Sequence, residues 1–70
     1  MVEKSIELTG ISANSIEEAV RLAVARAAVT IDSLRRAEVV DVSAIIEDGE
    51  IVSWRVRTKV TFAVQDRLHE

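Results

Sequence analysis

Residues 51–64 alternate without interruption. Val52, Trp54, Val56, Thr58, Val60, Phe62 and Val64 fall on one side, and Ser53, Arg55, Arg57, Lys59, Thr61 and Ala63 on the other. A period of two is the signature of a β-strand with one buried face. At about 3.3 Å per residue such a strand reaches roughly 45 Å, and most strands stop at about 3–10 residues. A 70-residue chain has too little other material to cover a strand of that length. Its ends are therefore expected to pair or pack between subunits.

Size points the same way. A chain this short buries only about 60% of the surface its unfolded form exposes. Small domains are commonly rescued by disulfides, a structural metal or oligomerisation. The sequence has no Cys, so disulfides, zinc–thiolate sites and a cysteine nucleophile are all excluded. Its single histidine, His69, is read as part of a frayed C-terminal tail. Oligomerisation is the remedy that remains.

The rest of the chain supplies one helix and two further strands. Residues 2–9 alternate with one polar exception, with Val2, Lys4, Ile6 and Leu8 on one side, and Gly10 is expected to close the strand. Ser15-Ile16-Glu17-Glu18 reads as a capping box, in which the Glu18 carboxylate reaches back to the Ser15 amide. Ile16, Ala19, Val20, Ala23, Val24, Ala27 and Ile31 then follow helical spacing, predicting a helix over 16–31. Its alanine-rich stripe allows a close approach to a sheet. Trp54 is expected to pack on that stripe near Ala23 and Ala27.

Residues 36–46 predict a second strand that is apolar on both faces, with Val40, Val42 and Ile46 on one and Val39 and Ile45 on the other. A strand apolar on both sides is covered on both sides. One helix covers only one, so a neighbouring subunit is expected on the other. Glu47-Asp48-Gly49-Glu50 predicts a tight hairpin with Asp48 and Gly49 at positive φ. The order is then β-α-β-β, an α+β fold. A right-handed crossover leaves the first and second strands parallel in direction. Placing the third between them gives a three-stranded antiparallel sheet of order 1-3-2 on one helix, within a single domain over residues 1–70.

Several functions are disfavoured. A net charge of −3 opposes nonspecific nucleic-acid binding, and two aromatics, Trp54 and Phe62, do not make a base-stacking platform. The amphipathic helix lacks the bulky apolar face and basic flank of a membrane-surface helix. No apolar run is long enough to span a bilayer, and Glu3, Lys4 and Glu7 stand where a signal peptide would be apolar. The expected location is the cytoplasm. No usable histidine and no glycine-rich phosphate loop is present, and both glycines are assigned to turns, so the chain is not expected to be an enzyme. Within the basic stripe Arg55, Arg57 and Lys59, the last two are expected to be neutralised across the sheet by Glu3, Glu7 and Glu38 or Asp41, and Arg55 is set apart from that pairing.

Three runs carry a resemblance to a known family: Ile6-Glu7-Leu8-Thr9-Gly10, Arg36-Ala37-Glu38-Val39-Val40-Asp41, and Trp54 to Phe62. Together they resemble the dodecins, small flavin-binding proteins that assemble as hollow dodecamers. The resemblance implies a homododecamer that stores or sequesters riboflavin or FMN, with Arg36, Arg55 and Asp41 at the ligand-contacting positions. It also marks two departures. Arg36 stands where the family usually has a flavin-stacking tryptophan, and Arg55 where it usually has a glutamine that hydrogen-bonds the flavin edge. Some relatives without the aromatic are associated with calcium, for which Glu38 and Asp41 are the candidate oxygen ligands. An anion is the other ligand class two arginines would favour, and an assembly with no specific ligand is the third reading.

Overall fold

The computed structural model of the protein describes residues 1–64. His69 lies outside them. The chain runs β1 (Val2–Ser12), α1 (Ile16–Ala28), β2 (Leu34–Glu47) and β3 (Glu50–Val64). The sheet is antiparallel throughout with order β1-β3-β2, so the long alternating strand is central as its pattern required. Asp48 and Gly49 have φ of 53° and 78°, the two positive values that a type I′ hairpin demands.

Gly10 does not end β1. It lies inside the strand opposite Val56, and the strand continues to Ser12. Its role is proximity: a Cβ here would overlap the Ala19 carbonyl oxygen and sit 2.8 Å from the Ala19 carbonyl carbon. The bare backbone lets α1 descend until Ala19, Ala23 and Ala27 are buried against Val56 and Val60. The helix also ends at Ala28 rather than Ile31. The Thr30 and Ile31 amides both donate to the Ala27 carbonyl, closing the last turn.

At the other end of α1, the Glu18 amide donates to Ser15 Oγ at 2.9 Å, as expected of the cap. The Glu18 carboxylate does not reach back to the Ser15 amide. It accepts from Ser12 Oγ at 2.6 Å and from Asn14 Nδ2 at 2.7 Å, while the Ser15 amide donates to Ser12 Oγ. These two hydrogen bonds hold the Glu18 carboxyl below its ordinary pKa, since they stabilise the charged form. Buried Ser12 thus ties the end of the first strand to the first turn of the helix.

The face assignment of β2 needs correction. Its register against β3 shifts between Leu34 and Arg36, between Val39 and Asp41, and between Ile45 and Ile46. Each shift breaks the alternation that sequence periodicity assumes. Val39 pairs with Thr58 and Val42 with Val56, so both lie on the helix side, while Glu38 and Asp41 share the open side. The strand is therefore not apolar on both faces. What it leaves uncovered is mostly on the helix side, because α1 lies over β1 and β3 more than over β2. Val39 and Val42 remain 49% and 41% exposed. A 13-residue helix spans about 20 Å, against about 50 Å for β3, so Ile46 and Ile51 at the hairpin end are exposed too.

Trp54 lies on the helix side, as its parity predicts, but at a different place. It pairs with Ser12 at the N-terminal end of α1, away from Ala23 and Ala27, and is only half-buried.

Candidate functional site

The open face of the sheet carries every candidate ligand residue. Along β3 it presents Thr61, Lys59, Arg57 and Arg55, flanked by Ser5, Glu7, Thr9 and Ile11 from β1 and by Arg36, Glu38, Asp41 and Ser43 from β2. Near one end, Arg36 reaches across β3 toward β1, with Nη1 3.6 Å from Glu3 Oε1. Beneath that crossing, Ser5 Oγ and Thr61 Oγ1 are 3.1 Å apart, and Thr61 is only 3% exposed. The guanidinium at position 36 thus belongs to a local ion pair that spans the sheet.

In the middle of the face the charges alternate. Arg57 Nη2 donates to Asp41 Oδ2 at 2.8 Å, and its Nε lies 4.0 Å from Glu7. Lys59 has Glu7 and Glu38 directly opposite. Arg57 thus has the cross-strand acids expected from the sequence, whereas Lys59 faces its acids without a close ion pair among the described residues; Glu38 and Asp41 share this face because of the register shift at Val40. Without that extra residue, Glu38 and Asp41 would point to opposite sides.

Arg55 is different. Its cross-strand neighbours are Ile11 and Ser43, neither of which can neutralise it, and among the described residues it forms no ion pair. Ile11 beside it is 53% exposed. An unneutralised guanidinium next to a bare aliphatic side chain is suited to an anionic or planar group, by charge or by stacking.

Arg36 and Arg55 do not come together within one subunit. Arg36 pairs with Thr61, and the run of β3 from Thr61 to Arg55 is about 20 Å at the usual rise per residue. Glu38 and Asp41 do come together, but Asp41 is engaged by Arg57. Among the described residues no three of His, Asp and Glu converge as a metal site would require. No helix of the described residues is long and apolar enough to cross a membrane.

A family model for dodecins matches residues 2–65, almost the whole chain. The chain belongs to the dodecin family. Solved structures agree with this. An alanine variant of the Thermus thermophilus dodecin is 31% identical with a TM-score of 0.86, over 93% of this chain and 97% of that one. The dodecin of Streptomyces coelicolor is 35% identical with a TM-score of 0.86, over 93% of each chain. A calcium-chelating dodecin antigen of Mycobacterium tuberculosis, with its own calcium-binding site, is 27% identical with a TM-score of 0.80 over the full length of both. No curated protein sequence matches the chain.

Within this dodecin frame, two features of the site were not legible from residue types. One is the trio of register shifts between β2 and β3, which no local motif announces. The other is the isolation of Arg55 from Arg57 and Lys59, with which it shares an unbroken sequence stripe. The only cue in the sequence for the latter is the absence of an acid at Ile11 and Ser43, and that cue becomes readable only once the register is known.

Proposed function

We propose that this dodecin is a binding protein rather than a catalyst. It assembles as a hollow homododecamer in the cytoplasm and sequesters a small ligand of the flavin class, riboflavin or FMN. The observation that carries this reading is the separation of Arg36 and Arg55 on one open face. A pocket using both positions needs residues from two copies, so ligand binding and assembly are one property. The uncovered apolar side chains of β2 and the hairpin end support a multi-subunit shell, since burying each fully is worth about 1.5–3 kcal/mol.

Flavin binding is weak in this scheme. Stacking on an aromatic contributes about 1–3 kcal/mol and a neutral hydrogen bond about 0.5–1.5 kcal/mol. Replacing both by arginines leaves a deficit of about 2–4 kcal/mol, or roughly 30- to 1,000-fold in affinity. The ion pair with Glu3 further occupies Arg36. Titration of riboflavin and FMN by fluorescence quenching tests the reading. The native protein is expected to bind weakly, and Arg36→Trp with Arg55→Gln to restore tight binding. Nanomolar binding by the native protein would show that the arginines stack competently. A double variant that assembles yet fails to bind would place the ligand elsewhere.

Calcium is the second reading, favoured by the calcium-chelating relative and by Glu38 and Asp41 on one face. It ranks below flavin because a cation at Asp41 must displace Arg57 at 2.8 Å. A calcium-dependent rise in melting temperature that disappears in Asp41→Asn would reverse the order.

A further inference from the structure

The displacement of α1 toward β1 and β3 opens a groove on the helix side of β2. It has a volume of about 220 Å³ and is lined by Val24 of the helix, Leu34, Arg35, Arg36 and Ala37 at the start of β2, and Val60 of β3. Four of these six side chains are aliphatic, and Val60 at the floor is buried. Arg35 is the residue left over by the register shift between Leu34 and Arg36, and such an extra residue re-aims a side chain at a strand edge. Among the described residues Arg35 forms no ion pair and no side-chain hydrogen bond. Arg36, by contrast, sends its guanidinium to Glu3 on the opposite face.

We propose that this groove binds a small amphipathic carboxylate, with its alkyl chain on Leu34, Ala37, Val24 and Val60 and its carboxylate on Arg35. Charge complementarity selects the occupant: apart from Arg36, whose guanidinium pairs with Glu3, the groove is apolar except for one cation that no acid among the described residues pairs with. Size limits it, since pockets for drug-sized ligands run to about 300–1,000 Å³. A medium-chain acid such as octanoate fits that description. The site lies on the other side of the sheet from Arg55, and its carboxylate contact, Arg35, is not a residue of the flavin reading.

Saturation-transfer NMR on the full chain in its native assembly, titrated with octanoate and with the neutral octanamide, tests the proposal. Octanoate is expected to saturate below millimolar concentration, with affinity rising about threefold to fourfold per added methylene from hexanoate. Arg35→Gln should weaken octanoate about fivefold and leave octanamide unchanged, and Arg35→Lys should recover most of the loss. Ala37→Leu, which fills the groove, should weaken both ligands. If Arg35→Gln weakens both ligands equally, or neither, the carboxylate does not sit on Arg35 and the proposal fails. The absence of any saturable octanoate signal also overturns it.

Discussion

Substituting Gly10 by alanine should be among the most damaging single-methyl changes available in this protein. The added Cβ would overlap the Ala19 carbonyl oxygen and approach the Ala19 carbonyl carbon to 2.8 Å. Both sides of that contact are backbone, so no rotamer change relieves it. The helix must retreat or the strand must buckle. Overpacking of this kind costs about 1–3 kcal/mol when side chains can shift, and a rigid collision belongs at or above the top of that range. A retreat of α1 also loosens every contact along Ala19, Ala23, Ala27, Val56 and Val60, which together are the buried apolar core. A gap of about 0.5–1 Å already forfeits a quarter to a half of each van der Waals well. The expected cost is therefore about 3 kcal/mol or more, or at least about 12 °C in Tm for a domain of this size. Urea and thermal unfolding followed by far-UV circular dichroism, at matched subunit concentration because assembly couples to stability, provide the measurement. Gly49→Ala is the control. Gly49 has φ of 78° with nothing within 4 Å of an added Cβ, so only backbone strain of about 1–2 kcal/mol opposes it. A Gly10→Ala variant within about 0.5 kcal/mol of the native protein, or less destabilised than Gly49→Ala, would refute the close-approach argument.

Thr58 is fully buried and its Oγ1 has no hydrogen-bond partner among the described residues, so Thr58→Val should stabilise the fold by about 1–2 kcal/mol; destabilisation would reveal a partner for the hydroxyl. Glu18 has a folded pKa below its unfolded value, so its contribution is complete above the ordinary glutamate range near about 4.3 and is lost as pH falls through the lower folded value. Ser12→Ala should flatten the stability–pH curve in that acid window, and an unchanged curve would discount the hydrogen bonds to Glu18. Asp41→Asn breaks an exposed ion pair with Arg57, and should cost under about 1 kcal/mol and less in high salt. A larger, salt-independent loss would mean that the pair is buried in the assembly. Sedimentation should show a species of about twelve subunits, as the proposed assembly requires, and a stably folded monomer at micromolar concentration would contradict it.

The elements and their order are legible in the residues alone. Uninterrupted alternation over 51–64 put the third strand at the sheet centre, Asp48-Gly49 set the hairpin, and alanines at helical spacing defined the buried face of α1. These signals are local, or follow from chirality and connection rules that act on neighbouring elements. Which residues meet across the sheet is fixed by the packed strands. Register shifts moved Val39 to the helix side and brought Glu38 and Asp41 onto one face, because an extra residue in one strand is defined only relative to its partner. Gly10 looked like a strand end and proved to be a contact point, since the reason for its missing Cβ lies in the helix carbonyl above it. Trp54 kept its predicted side of the strand but not its neighbours, because parity follows from sequence whereas position along the helix follows from register. Arg55, Arg57 and Lys59 form one stripe in the sequence, yet only pairing with β1 and β2 left Arg55 without an acidic neighbour, because cross-strand partners are assigned by the fold.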